Sequence, residues 1–117
     1  EGSLPNAPGI AGLRASLLLM KQIGFDEIHK AAWNVSGYLI EELRKLPVEL
    51  VPCTERDSTR STIVSFRPSK IEETYATLRQ NNIACSMRCG YIRTGIHGYN
   101  TKEEVDQAVS VLKGCLK

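Results

Sequence analysis

Arg88 and Arg93 stand five residues apart in the glycine-punctuated segment Arg88-Cys89-Gly90-Tyr91-Ile92-Arg93-Thr94-Gly95. The segment runs on through His97, Tyr99 and Asn100 to Thr101-Lys102-Glu103-Glu104. A guanidinium offers a planar fork of donors that grips a carboxylate bidentately, which the point charge of lysine does less well. Two such forks on nearby positions can hold one small anion, and Gly90 and Gly95 permit close backbone approach to it. The competing reading has each arginine capping a surface carboxylate such as Glu72 or Glu103.

Other side chains in the segment are weaker candidates. Imidazole is the usual general acid or base at neutral pH, but His97 has no acidic or nucleophilic neighbour, so it reads as a loop residue. Cys89 would be an activated thiol if it faced the two arginines; a small packed thiol is the simpler reading. Asn100 can fold its side chain over the amides that follow, so turn chemistry accounts for it. Ser16, Ser36 and Ser65 have no histidine at motif spacing, and no phosphate-cradling glycine loop is present. The cysteines are Cys53, Cys85, Cys89 and Cys115. They form no two close pairs, and His29 and His97 are isolated, so no metal site is assembled and free thiols in a reducing compartment are expected. No self-sufficient set of catalytic residues is visible.

The elements that must position these residues belong to one domain. The chain has 117 residues, 42% of them hydrophobic, which is one domain's worth of material with enough apolar side chains for one core. Its 15 basic and 13 acidic side chains leave a net charge of +2. No cationic stripe emerges from that balance, which argues against nucleic-acid binding. The apolar run Ala15 to Met20 is too short to span a bilayer, and no secretory signal precedes it; a cytoplasmic location is expected. Asn34-Val35-Ser36 matches a glycosylation sequon but falls within a helical pattern.

Periodicity predicts a helix from about Ile10 to Ile23, apolar over much of its circumference and ended by Gly24. Such breadth fits burial on more than one side, against another domain. A second helix opens at Asp26 and runs to about Leu46, with Ile28, Ala31, Ala32, Val35, Leu39 and Leu43 as its core stripe and Pro47 as its stop. Val48 to Val51 predicts a short strand, followed by a polar excursion from Thr54 to Arg60. Thr62-Ile63-Val64-Ser65-Phe66 follows the strand period of two. Ser69-Lys70-Ile71-Glu72 has the form of a capping box before a helix with Ile71, Tyr75 and Leu78 on one side, ending near Asn81 or Asn82. Strands at Ile83 to Met87 and Tyr91 to Thr94 follow. Thr101-Lys102-Glu103-Glu104 caps a last helix, with Val105, Ala108, Val109 and Leu112 buried and Gly114 suited to its end. The order α-α-β-β-α-β-β-α predicts an α/β (α+β) two-layer domain, a mainly antiparallel sheet packed by helices.

Three ordered stretches resemble the C-terminal small domain of the class V aminotransferase and cysteine-desulfurase family, fold-type-I enzymes that use pyridoxal phosphate. Gly2-Ser3-Leu4-Pro5-Asn6 is similar to that family's Gly-Thr/Ser-x-Pro-Asn entry to the domain. Ile63-Val64-Ser65-Phe66 is similar to its internal strand. Arg93, followed eight residues later by Thr101 and then by Glu103-Glu104-Val105-Asp106, resembles its Arg-x-Ser…Tyr-Asn-Thr-x-Glu-Glu-hydrophobic-Asp closing motif.

The resemblance implies that Arg93 binds the substrate α-carboxylate and that Arg88 lies near the active-site entrance. It also implies that Gly2 and Ser3 approach the cofactor phosphate across a homodimer interface, and that His97 and Asn100 shape the loop. It places the cofactor-bearing lysine in a large domain upstream of Glu1, so residues 1–117 alone are expected to lack independent turnover. Desulfurases of the family carry a long loop with a sulfur-accepting cysteine before the substrate arginine. Here only Cys89-Gly90-Tyr91-Ile92 separates Arg88 from Arg93, which favours an aminotransferase, or a related amino-acid lyase, over a desulfurase. The expected partners are an amino-acid substrate and the large domain, with no nucleic acid and no membrane. Two alternatives stay open: a non-catalytic small-molecule-binding domain, and a dimerisation module that uses the apolar first helix.

Overall fold

The computed structural model describes residues 5–51 and 59–116. Gly2, Ser3, Cys53 and most of the polar excursion after Val51 lie outside the described residues. The remaining chain forms α1 (Ala7–Ile23), α2 (Phe25–Arg44), β1 (Glu49–Leu50), β2 (Ile63–Arg67), α3 (Ile71–Gln80), β3 (Ser86–Arg88), β4 (Tyr91–Gly95) and α4 (Lys102–Cys115). This is the predicted order, and it makes the predicted two layers.

The strands lie in the order β1-β2-β4-β3, and every neighbouring pair is antiparallel. Successive strand residues point to opposite faces. Val64 and Phe66 of β2 and Ile92 of β4 therefore share one face, where they are fully buried. They meet Leu39 and Leu43 of α2, Leu78 of α3, and Val105, Val109 and Leu112 of α4 in a single core. The i, i+3, i+4, i+7 spacing of Ala32, Val35, Ser36 and Leu39, continued by Ile40 and Leu43, lays one stripe of α2 along that core. Two buried hydroxyls are satisfied locally: Ser36 Oγ donates to the Trp33 carbonyl at 3.0 Å, and Thr74 Oγ1 to the Lys70 carbonyl at 2.7 Å. The sequon at Asn34 is thus helical, with its serine inside the protein.

Helix ends follow from local chemistry. Asn6 caps α1 by accepting from the Gly9 amide at 3.1 Å. Gly24, at φ 103°, ends α1 and also stands as the N-cap of α2. Asp26 is therefore inside α2, in its first turn, rather than opening it. The end of α3 is a Schellman turn: the Ile83 amide returns to the Leu78 carbonyl at 3.0 Å and the Asn82 amide to Arg79 at 3.1 Å, with Asn82 at φ 60°.

Two expectations are corrected. Lys70, not Ser69, is the N-cap of α3, and no side chain caps it; the Thr74 hydroxyl and amide both use the Lys70 carbonyl instead. α4 passes through Gly114 to Cys115, because Leu116 still bonds back to Leu112. The first helix is apolar over much of its circumference, and this chain buries none of its described side chains. Ile10, Leu13, Leu19 and Ile23 are each more than half exposed, and α2 is its main neighbour.

Candidate functional site

The face of the sheet turned away from the helices holds the arginines. On this face Arg93 of β4 lies in register with Ser65 of β2 on one side and Ser86 of β3 on the other. One step along, Arg88 of β3 pairs with Tyr91 of β4, and Arg67 of β2 pairs with Glu49 of β1. Strand alternation puts all seven residues on the same side. Arg93 is half-buried and Arg88 exposed.

A two-residue turn fixes Arg88 relative to Arg93. Cys89 at φ 51° and Gly90 at φ 76° are the two central residues between Arg88 and Tyr91. Positive φ at both positions is the type I′ hairpin, whose twist matches that of the strands it joins. Gly90 is required by its conformation. Gly95 has no such requirement, since its φ is not in the left-handed range and a Cβ there would meet nothing within 4 Å among the described residues.

Charge on this face is unevenly spent. Arg67 donates to Glu49 Oε2 from Nε at 3.1 Å and from Nη2 at 2.6 Å. Tyr91 Oη donates to the other oxygen, Glu49 Oε1, at 2.7 Å. The Arg67 guanidinium lies over the Tyr91 ring, 4.8 Å from its centroid. The Arg67 bonds, and then the Tyr91 bond, hold the Glu49 carboxyl below the usual carboxylate range. The same contacts raise Arg67 and Tyr91, in each case through the bond to Glu49 first. Arg88 and Arg93 have no ion pair or hydrogen-bonded partner for their side chains among the described residues. Neither caps Glu72 or Glu103; Glu103 is instead held low by bonds at the start of α4.

Sequence reasoning missed Ser65, Ser86, Arg67 and Glu49 as neighbours of Arg93. Period-two alternation could have found Ser65 and Arg67 on the face opposite Val64 and Phe66. Only the register could have placed Glu49 and Ser86.

His97 and Asn100 lie away from this face, in the connection from β4 to α4. Asn100 Oδ1 accepts from the His97 amide at 2.8 Å, and the Asn100 amide donates to the His97 carbonyl at 3.1 Å. Asn100 Nδ2 also donates to Glu104 Oε2 at 3.0 Å. That carboxylate accepts from the Thr101 amide at 3.0 Å, and Thr101 Oγ1 accepts from the Glu104 amide at 3.3 Å, which completes the expected capping box. These bonds hold Glu104 below its usual range, Asn100 contributing most. The His97 ring stacks on Tyr99 at 5.3 Å. The same loop walls a cleft of about 420 Å³ on the helical side, lined also by Asn81, Asn82, Ile83 and Ile96. Its volume suits a small ligand, but neither arginine lines it, and its one carboxylate, Glu104, is already committed to the cap. For recognition of an anion the open sheet face is therefore the better candidate.

The fold is thus an α/β two-layer domain whose open sheet face carries two arginines with no ionic partner among the described residues. The aminotransferase class-V family model matches residues 1–108 of the 117. The chain belongs to the class V aminotransferase family. No curated protein matches it.

Members of this family generally use pyridoxal phosphate, which is held covalently by a lysine amine. The described lysines are Lys21, Lys30, Lys45, Lys70, Lys102 and Lys113, all on helices or at helix caps and none beside Arg93. The described residues therefore do not fit the cofactor's attachment.

Proposed function

We propose that this chain is the substrate-side domain of a pyridoxal-phosphate-dependent class V aminotransferase acting on an amino acid, with Arg93 gripping the substrate α-carboxylate. One observation carries the reading. Arg93 is the half-buried guanidinium on the open face, flanked in register by the Ser65 and Ser86 hydroxyls, and it has no acidic partner among the described residues. Its neighbour Arg67 is neutralised by Glu49, so it competes little for the same anion. Bidentate binding would fix the orientation of the substrate as well as its charge, the contribution a positioning residue makes to rate.

The lysine and the groups around the cofactor ring come, in this reading, from the family's large domain, and the uncovered apolar side of α1 packs against it. The two-residue turn between Arg88 and Tyr91 supports an aminotransferase over a desulfurase, because it leaves no loop to carry a sulfur-accepting cysteine. The test is titration of the chain with propionate and alanine, followed by amide chemical shifts. Shifts centred on Ser65, Ser86 and Arg93 that vanish in Arg93→Gln are expected. Equal shifts in the variant would overturn the reading.

A further inference from the structure

We propose that Arg88 makes this a site for substrates with a second acidic group, a short dicarboxylic amino acid, and so sets substrate preference. The inference rests on the reading that Arg93 takes the α-carboxylate. Arg88 pairs with Tyr91 and Ser86 pairs with Arg93, so Arg88 and Arg93 are diagonal neighbours on one face. Such neighbours have Cβ atoms roughly 7 Å apart, within mutual reach of long side chains. The Cys89-Gly90 turn fixes that offset, since a two-residue type I′ connection has no slack.

Among the described residues, the ionised side chains of this part of the face are Glu49, Arg67, Arg88 and Arg93. Glu49 is committed to Arg67 on one oxygen and to Tyr91 on the other, so the two remaining cations have no carboxylate between them. Tyr91 would otherwise stand next to Arg88 and crowd it. Its bond to Glu49 instead draws the ring across β2 toward β1, beneath the Arg67 guanidinium, and away from β3. The surface over the β3–β4 pair is left to the Arg88 and Arg93 forks and the Ser86 hydroxyl. A monocarboxylate satisfies one fork. Two carboxylates separated by two or three carbons satisfy both, each bidentately.

The experiment titrates the chain with glutarate and with butyrate, which lack an amine and need no cofactor, and follows amide chemical shifts. The expected result is glutarate binding about tenfold or more tighter than butyrate. Arg88→Gln removes that advantage and leaves butyrate affinity within about twofold, while Arg44→Gln, which removes an exposed cation on α2, preserves the advantage. Arg88→Lys keeps the charge without the fork and is expected to fall between. An advantage that survives Arg88→Gln, or that Arg44→Gln reduces equally, overturns the proposal. Equal affinity for the two ligands, with both lost in Arg93→Gln, overturns it while the α-carboxylate reading stands. No binding of either ligand overturns both.

Discussion

Glu49 and Arg67 face each other across the β1–β2 ladder, and their side chains close the contact with two hydrogen bonds, the shorter 2.6 Å. That pair separates the arginines of the sheet face into one that is neutralised and two that are not. It gives the first prediction. The Glu49 carboxyl is held low chiefly by Arg67 and then by Tyr91, so its titration, followed by side-chain carbon shifts, should have a midpoint below the ordinary 4.5. Tyr91→Phe should move that midpoint up part of the way, and Arg67→Gln further. Because the folded value is depressed, the stabilisation is present above the unfolded value and is lost as pH falls through the folded one. A midpoint unmoved by either variant would contradict the geometry.

Cys89 occupies a left-handed conformation that asparagine adopts more readily. Cys89→Asn should stabilise the domain by about 0.5–1 kcal/mol, and Gly90→Ala should destabilise it by about 1 kcal/mol. Urea unfolding midpoints at unchanged slope measure both, and a destabilising Cys89→Asn would count against the turn assignment.

Leu43 is 0% exposed, at the centre of the core, whereas Leu13 on α1 is 61% exposed. Leu43→Ala should cost about 2–5 kcal/mol, and Leu13→Ala less than about 0.5 kcal/mol. Comparable losses at the two positions, by thermal or urea unfolding of this chain, would show that α1 is covered.

Gly98 lets the loop after β4 lie directly on α2. A Cβ there would stand 2.9 Å from Ile28 Cγ2 and 3.2 Å from the Ile28 carbonyl oxygen. Gly98→Ala should therefore destabilise by about 1–3 kcal/mol through overpacking. Ile28→Ala in the same chain should relieve only part of that penalty, because the backbone contact remains; a double-mutant cycle measures the relief.

Tyr38 ties α2 to α4 by donating to Asp106 Oδ1 at 2.6 Å, and that bond, ahead of desolvation, pushes its hydroxyl up to about 12 from an ordinary 10.0. A raised value means that the stabilisation is complete below 10.0 and fades as pH rises through about 12. Ultraviolet titration of the phenols should show, besides the raised Tyr91, a component near 12 that is absent from Tyr38→Phe and shifted down by Asp106→Asn.

Much of the fold was legible because its signals are local. The pleat fixes Val64 and Phe66 to one face and Ser65 and Arg67 to the other, whatever the strands pair with. The α2 stripe and the Thr101–Glu104 box are likewise set within one or two turns of helix. Ser69-Lys70-Ile71-Glu72 misled because a capping box needs the hydroxyl at the N-cap itself, and the helix began one residue later, after Lys70. The breadth of apolar residues on α1 showed that the helix has more than one apolar side, but not which sides are met by this chain.

The sequence by itself determined the order of elements, the short connection between Arg88 and Arg93, and the family. Only the tertiary structure decided which arginine is neutralised by a carboxylate and which two are not, among the described residues. Arg67, Arg88 and Arg93 are alike as residues, and their difference comes from strand order. β1 beside β2 brings Glu49 against Arg67, while β4 between β2 and β3 surrounds Arg93 with serines. Ion pairing depends on separations of a few ångströms between residues distant in sequence. Those separations are set by register, to which periodicity along a single strand is blind.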